Sequence, residues 1–127
     1  MDKTVGIFVY GTLKVGNHFA KNFDALRLAS LPGKIKGTLY RGPFFPMLKC
    51  DGAHDVEGEL HTYKRPSEVL AMMDRIEGYE EGRKEGNFYV RKKVEVTLEN
   101  GRKEKAFVYE FNESVENAEA IPSGRWD

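Results

Sequence analysis

Thr4 to Tyr10 (TVGIFVY) is a short β-branched and aromatic run ended by Gly11-Thr12, which predicts a buried strand. From about Asn17 to Ala29 the apolar residues Phe19, Ala20, Phe23 and Leu26 recur at helical spacing, and Ser30-Leu31-Pro32-Gly33 stops them, so a helix is predicted there. Lys34 to Tyr40 and Val56 to Tyr63 alternate as strands do, with Arg41-Gly42-Pro43 and the polar stretch around Asp51-Gly52 as breaks. Between those strands PFFPML is apolar but interrupted by prolines, which predicts a loop lining a cavity rather than a central strand.

Further on, Pro66 to Ile76 carries an inward stripe of Val69, Leu70, Met73 and Ile76, with Pro66 in the first turn and Glu68 near the positive end of the dipole. Gly78 sits where a left-handed cap would close this helix. Phe88 to Leu98 and Lys103 to Phe111 flank Asn100-Gly101, the signal for a two-residue type I′ hairpin. That turn predicts Glu99 opposite Arg102, Val94 opposite Phe107, Val90 opposite Phe111 and Arg91 opposite Glu110, with a bulge or strand end at Lys92. The order β, α, β, β, α, β, β predicts an α+β domain: a small, mixed, barrel-like sheet with two or more flanking helices.

A chain of 127 residues without repeats or linkers is expected to fold as one domain spanning 1–127. Lys plus Arg and Asp plus Glu both total 20 and are interspersed, so nothing here resembles a nucleic-acid or membrane-surface patch. No apolar run approaches the roughly 20 residues that span a bilayer. A lone cysteine, Cys50, and a start without an apolar leader place the expectation in the cytoplasm. The expected partner is a small molecule, and the expected state a monomer or weak homodimer.

Two segments carry candidate chemistry. In Tyr10-Gly11-Thr12-Leu13-Lys14, glycine lets the backbone turn and present successive N–H groups to a carboxylate or oxyanion, although an ordinary strand-to-loop turn reads the same way. Glu77, in the last turn of its helix, faces the negative end of the dipole, which raises its proton affinity and suits it to acid/base work; a solvated helix-end glutamate has the same pattern. Met72 and Met73 read as packing residues. His18, His54 and His61 have no metal-ligand spacing, so no metal or other cofactor is expected. Neither a G-x-S-x-G elbow nor a histidine partner for Cys50 supports a nucleophile. Glu57 and Glu59 share one side of a strand, which could place an acid in a cavity but reads first as a solvated sheet face.

Taken in order, VYGTLK, EGELHTY, MMDRIEGYE and FYVRKKVEV resemble the gamma-glutamylcyclotransferase-like (AIG2-like) family over about residues 5 to 111. The resemblance implies a barrel-like α+β fold with a cavity and a cofactor-independent transferase that releases 5-oxoproline from a gamma-glutamyl substrate. It implies Glu77 as proton acceptor and donor, the backbone of Tyr10, Gly11, Thr12 and Leu13 around the gamma-glutamyl group, and Tyr89 and Pro46 at the cavity. YGTLK with threonine resembles the branch acting on gamma-glutamylamines, and the ending IPSGRWD resembles a tail that folds back over the domain. A non-catalytic binding or regulatory domain of the same fold is the alternative.

Overall fold

In a computed structural model the described residues are 6–10, 23, 25–42, 46–80, 82, 86–87 and 89–125. They form β1 (Gly6–Val9), β2 (Arg27–Arg41), β3 (Pro46–Tyr63), α1 (Pro66–Glu77), β4 (Tyr89–Leu98), β5 (Lys103–Phe111) and β6 (Glu119–Ala120). The sheet runs β3-β1-β5-β4-β2-β6, and a further β3–β2 pairing closes its first five strands on themselves. Only β1 and β5 run parallel; the other neighbours are antiparallel. The α+β, barrel-like expectation is met, with α1 the one α-helix among the described residues.

Closure gives each strand an inner and an outer face, and period-two alternation distributes the apolar residues between them. Phe8, Tyr10, Ile35, Leu39, Leu48, Val56, Leu60, Val96, Leu98, Ala106, Val108 and Ile121 fill the barrel. On the outer face Ile7, Val9, Tyr63, Tyr89 and Tyr109 form a second core with Val69 and Met73 of α1. Val69 and Met73 are fully buried and Leu70 partly so, as the helical stripe requires; Ile76 is instead 38% exposed.

Three local expectations are corrected. The helix over Asn17–Ala29 fails in its described part: Leu26 and Arg27 both donate to the Phe23 carbonyl in a turn, and β2 starts at Arg27 and runs through Ser30-Leu31-Pro32-Gly33. Pairing with β3 along that whole length outweighs a short helical periodicity, and Pro32 lies beside Gly33, where the β2–β4 pairing ends, an edge position that tolerates proline. Pro46-Met47-Leu48 is strand rather than loop, with proline allowed as the first strand residue; Pro43, Phe44 and Phe45 lie outside the described residues. Gly52 does take a positive φ of 76°, but its turn is absorbed as a bulge, the partner jumping from His54 at Gly37 to Lys49 at Thr38.

The C-terminal hairpin is shifted by one residue from the predicted register. Val94 faces Ala106, Val90 faces Glu110, Arg91 faces Tyr109 and Tyr89 faces Phe111, while Lys92 pairs in register with Val108. Leu98 and Arg102 close a three-residue loop in which Gly101 has φ 84° and donates to the Leu98 carbonyl at 2.9 Å. Asn-Gly therefore occupies the end of a turn with a left-handed last residue, not a two-residue type I′ turn. Apolar residues on both faces of these strands satisfy either register, so the turn decides.

The C-terminal segment does fold back. Ile121 donates to the Leu39 carbonyl at 2.7 Å and is buried in the barrel, and the Gly124 carbonyl accepts from Glu57 N–H at 2.7 Å. No helix among the described residues is long and apolar enough to cross a membrane.

Candidate active site

Helix α1 ends in a left-handed cap at Gly78, φ 69°, with Tyr79 N–H donating to the Asp74 carbonyl at 2.8 Å. That closure makes Glu77 the last helical residue, half-buried and near both Tyr10, an inner-core residue, and Tyr89, an outer-core one. Burial pushes the Glu77 carboxyl up to about 7, and the helix dipole acts in the same sense. A group so poised accepts and returns a proton near neutral pH. Burial, and then the Glu77 charge, push the Tyr10 and Tyr89 hydroxyls well above the ordinary phenol range, so both remain donors.

The Tyr10 hydroxyl donates to the Tyr109 carbonyl, and the Tyr89 hydroxyl to the Pro46 carbonyl at 2.7 Å. Glu77 of α1, Tyr89 of β4, Pro46 of β3 and Tyr10, the residue after β1, are thus brought together. Gly11, Thr12 and Leu13 lie outside the described residues. Asn87 braces the connection after α1, accepting from Glu80 N–H at 3.0 Å and donating to its carbonyl at 3.3 Å.

Several neighbours escaped the sequence reading. The β3 bulge is pinned by Thr38, which donates to Asp51, and by Cys50 N–H, which donates to Glu110 at 2.6 Å. Burial works to raise the Glu110 carboxyl, but Lys92 at 2.5 Å, Cys50 N–H and Lys49 hold it below the ordinary range. Burial and the Glu110 charge push the Cys50 thiol up to about 11, which makes it a poor nucleophile. Asp74, one turn before Glu77, takes Arg91 at 2.7 Å and the Tyr109 hydroxyl at 2.6 Å.

Glu57 is exposed and paired with Arg125 at 3.6 Å, as a sheet-face residue would be. Glu59 is not simply solvated: His61, fully buried, contacts it at 2.8 Å through Nε2 and contacts the Tyr63 hydroxyl at 2.7 Å through Nδ1. Alternate spacing along one strand was the signal for that row. Both glutamates line a groove of about 590 Å³ together with Lys34, Glu99 and Arg125. It shares no residue with the Glu77 cluster, whose proton affinity makes it the candidate site. Among the described residues no three His, Cys, Asp or Glu side chains are placed to hold a metal ion.

Fold and site together define a small closed barrel, capped on one side by a helix whose last residue is a protonatable acid. Such barrels recur among solved structures. An aig2-like protein from Mus musculus superposes with a TM-score of 0.76 at 24% identity, covering 99% of this chain and 90% of that one. YkqA from Bacillus subtilis gives 0.69 at 20% identity over 96% of this chain, which spans 39% of YkqA. A gamma-glutamyl cyclotransferase gives 0.60 at 13% identity, covering 91% and 68%. No curated protein matches the chain significantly. The chain belongs to the gamma-glutamyl cyclotransferase, AIG2-like family, whose model matches residues 7–127.

Proposed function

We propose that the protein cyclises a gamma-glutamyl amide or gamma-glutamylamine, without a cofactor, releasing 5-oxoproline and a free amine. The observation that carries the reading is a carboxyl with a proton affinity near neutrality, at the end of α1 beside Tyr10 and Tyr89. The substrate's α-amine attacks its own side-chain carbonyl carbon, forming the lactam C–N bond, while Glu77 takes the proton lost from that nitrogen. As the bond to the leaving nitrogen breaks, Glu77 returns the proton to it, so no water is consumed. Backbone N–H groups of Gly11, Thr12 and Leu13 are assigned to the oxyanion, and Tyr89 and Pro46 to the wall around the glutamyl chain.

The test is 5-oxoproline release across a panel of gamma-glutamyl amines, peptides and amino acids. Glu77→Gln keeps size and shape, and turnover is expected to fall at least ~100-fold, mainly in kcat. Near-wild-type turnover by the folded variant overturns the role of Glu77. No release by the wild type from any substrate favours a binding domain instead.

A further inference from the structure

Asp74 is i−3 to Glu77, so the two lie on neighbouring positions of one helix face. Unlike Glu77, its carboxylate is fully engaged. Oδ2 accepts from Arg91 Nη1 at 2.7 Å and Oδ1 accepts from the Tyr109 hydroxyl at 2.6 Å. Arg91 itself lies against two rings, its guanidinium 5.5 Å from the Tyr79 ring centroid and 5.3 Å from that of Phe107. The Asp74 carbonyl meanwhile accepts Tyr79 N–H at 2.8 Å, closing the cap after Glu77. One residue therefore ties the last helical turn to the sheet through its side chain and to the helix cap through its backbone. Tyr109 extends the link: its hydroxyl holds Asp74, and its carbonyl accepts Tyr10, which lines the candidate site.

Resting on the acid role proposed for Glu77, we infer that Asp74, clamped by Arg91 and Tyr109, is the positioning residue that holds Glu77 in its dry, aimed setting. The clamp touches no substrate. Its geometry fixes where the last turn of α1 sits against β4 and β5, and a displacement on the order of 1 Å at a catalytic group costs about 100-fold in rate. Burial alone shifts Glu77; the ionisable groups around it are Tyr10, just after β1, and Tyr89 of β4, with Cys50 of β3 and Glu110 of β5 acting on Tyr10, and Asp74 and Arg75 beside it in sequence on its own helix.

Tyr109→Phe is the cleanest test, because it removes one hydroxyl from the clamp while keeping every charge and the carbonyl that Tyr10 uses. Two readouts are taken: kcat and KM for 5-oxoproline release, and the titration midpoint of the Glu77 carboxyl by ¹³C NMR, assigned by its disappearance in Glu77→Gln. A loosened turn admits water to the carboxyl, so the midpoint is expected to fall from about 7 toward the usual 4.5. The kcat is expected to fall ~10-fold with KM within about twofold, and Asp74→Asn to fall further, to ~100-fold. Near-ultraviolet circular dichroism checks that each variant is folded. A folded Tyr109→Phe or Asp74→Asn protein whose Glu77 midpoint stays within about 0.2 pH unit of wild type overturns the inference, whatever its turnover. Should the wild type release no 5-oxoproline, the proposed reaction fails while the midpoint still decides the clamp.

Discussion

Replacing Glu77 by glutamine is expected to make the protein more stable at alkaline pH while disabling it. Burial moves the carboxyl from 4.5 to about 7 in the folded state. Those roughly 2.5 pH units, at 1.36 kcal/mol each, set an upper value of about 3 kcal/mol, and water reaching a half-buried carboxyl trims it to between about 1 and 3. The folded pKa lies above the unfolded one, so the folded state holds the proton more tightly. The carboxyl's contribution to stability is complete below pH 4.5 and is lost as pH rises through 7. Glutamine cannot ionise and escapes that loss. Subtracting the melting temperature of wild type from that of Glu77→Gln at pH 4 and again at pH 8 cancels any constant packing difference. At about 4 °C per kcal/mol for a domain of this size, the difference should grow by roughly 4–12 °C between the two. A difference that does not change with pH would refute a buried, protonation-poised Glu77.

Because the ionised form of Glu77 accepts the first proton, kcat/KM for 5-oxoproline release should rise with pH about a midpoint of about 7; a midpoint near 4.5 would show a solvated acid. Gly101 and Gly124 have φ of 84° and 67°, but a Cβ at Gly101 meets nothing within 4 Å whereas one at Gly124 lies 2.1 Å from the Asp55 carbonyl oxygen. Urea titration should place Gly101→Ala about 1 kcal/mol below wild type, and Gly124→Ala lower by at least another ~1 kcal/mol, with equal losses counting against the tail as a docked element. His61→Ala removes a fully buried ring and strips Glu59 and Tyr63 of a partner, so it should cost ~3 kcal/mol in the same titration; a loss below ~1 kcal/mol would mean the row is not bearing stability.

Which parts of the fold could be read from the chain follows from which interactions are local. The buried strand at Gly6–Val9 and the α1 stripe announce themselves because residues a few positions apart share one environment. The β2–β3 ribbon does not: fifteen and eighteen residues pair across a bulge, and the partners of Leu31 or Pro32 lie some thirty positions away, where local spacing carries no trace of them. The one-residue error in the hairpin has a related origin. Tyr89, Phe107 and Phe111 on one face and Val94, Val96 and Val108 on the other are all apolar because a closed barrel under a helix buries both sides. Within the site, Glu77 is marked by its helix end and glycine cap, whereas Asp74, Arg91 and Tyr109 form one cluster only on folding, because Arg91 and Tyr109 lie 17 and 35 positions from Asp74.

The placement of Glu77 also explains how a marginally stable domain tolerates an energetically poor acid. Among the described residues, two cations on the strand next to α1 are taken by other carboxylates: Arg91 by Asp74 and Lys92 by Glu110. Neutralising Glu77 in the same way would draw its proton affinity back down and remove the property the chemistry needs. The compensation is instead apolar and close by. Val69 and Met73 are fully buried, and together they contribute at most about 3–6 kcal/mol, enough to offset a loss of up to about 3 at Glu77. Met73 precedes Glu77 by four residues on the same helix face, so the anchor and the acid it supports are stacked one turn apart. That arrangement separates the two roles in a single turn of helix: shortening Met73 removes stability that the acid depends on, whereas neutralising Glu77 returns stability and removes only the proton carrier.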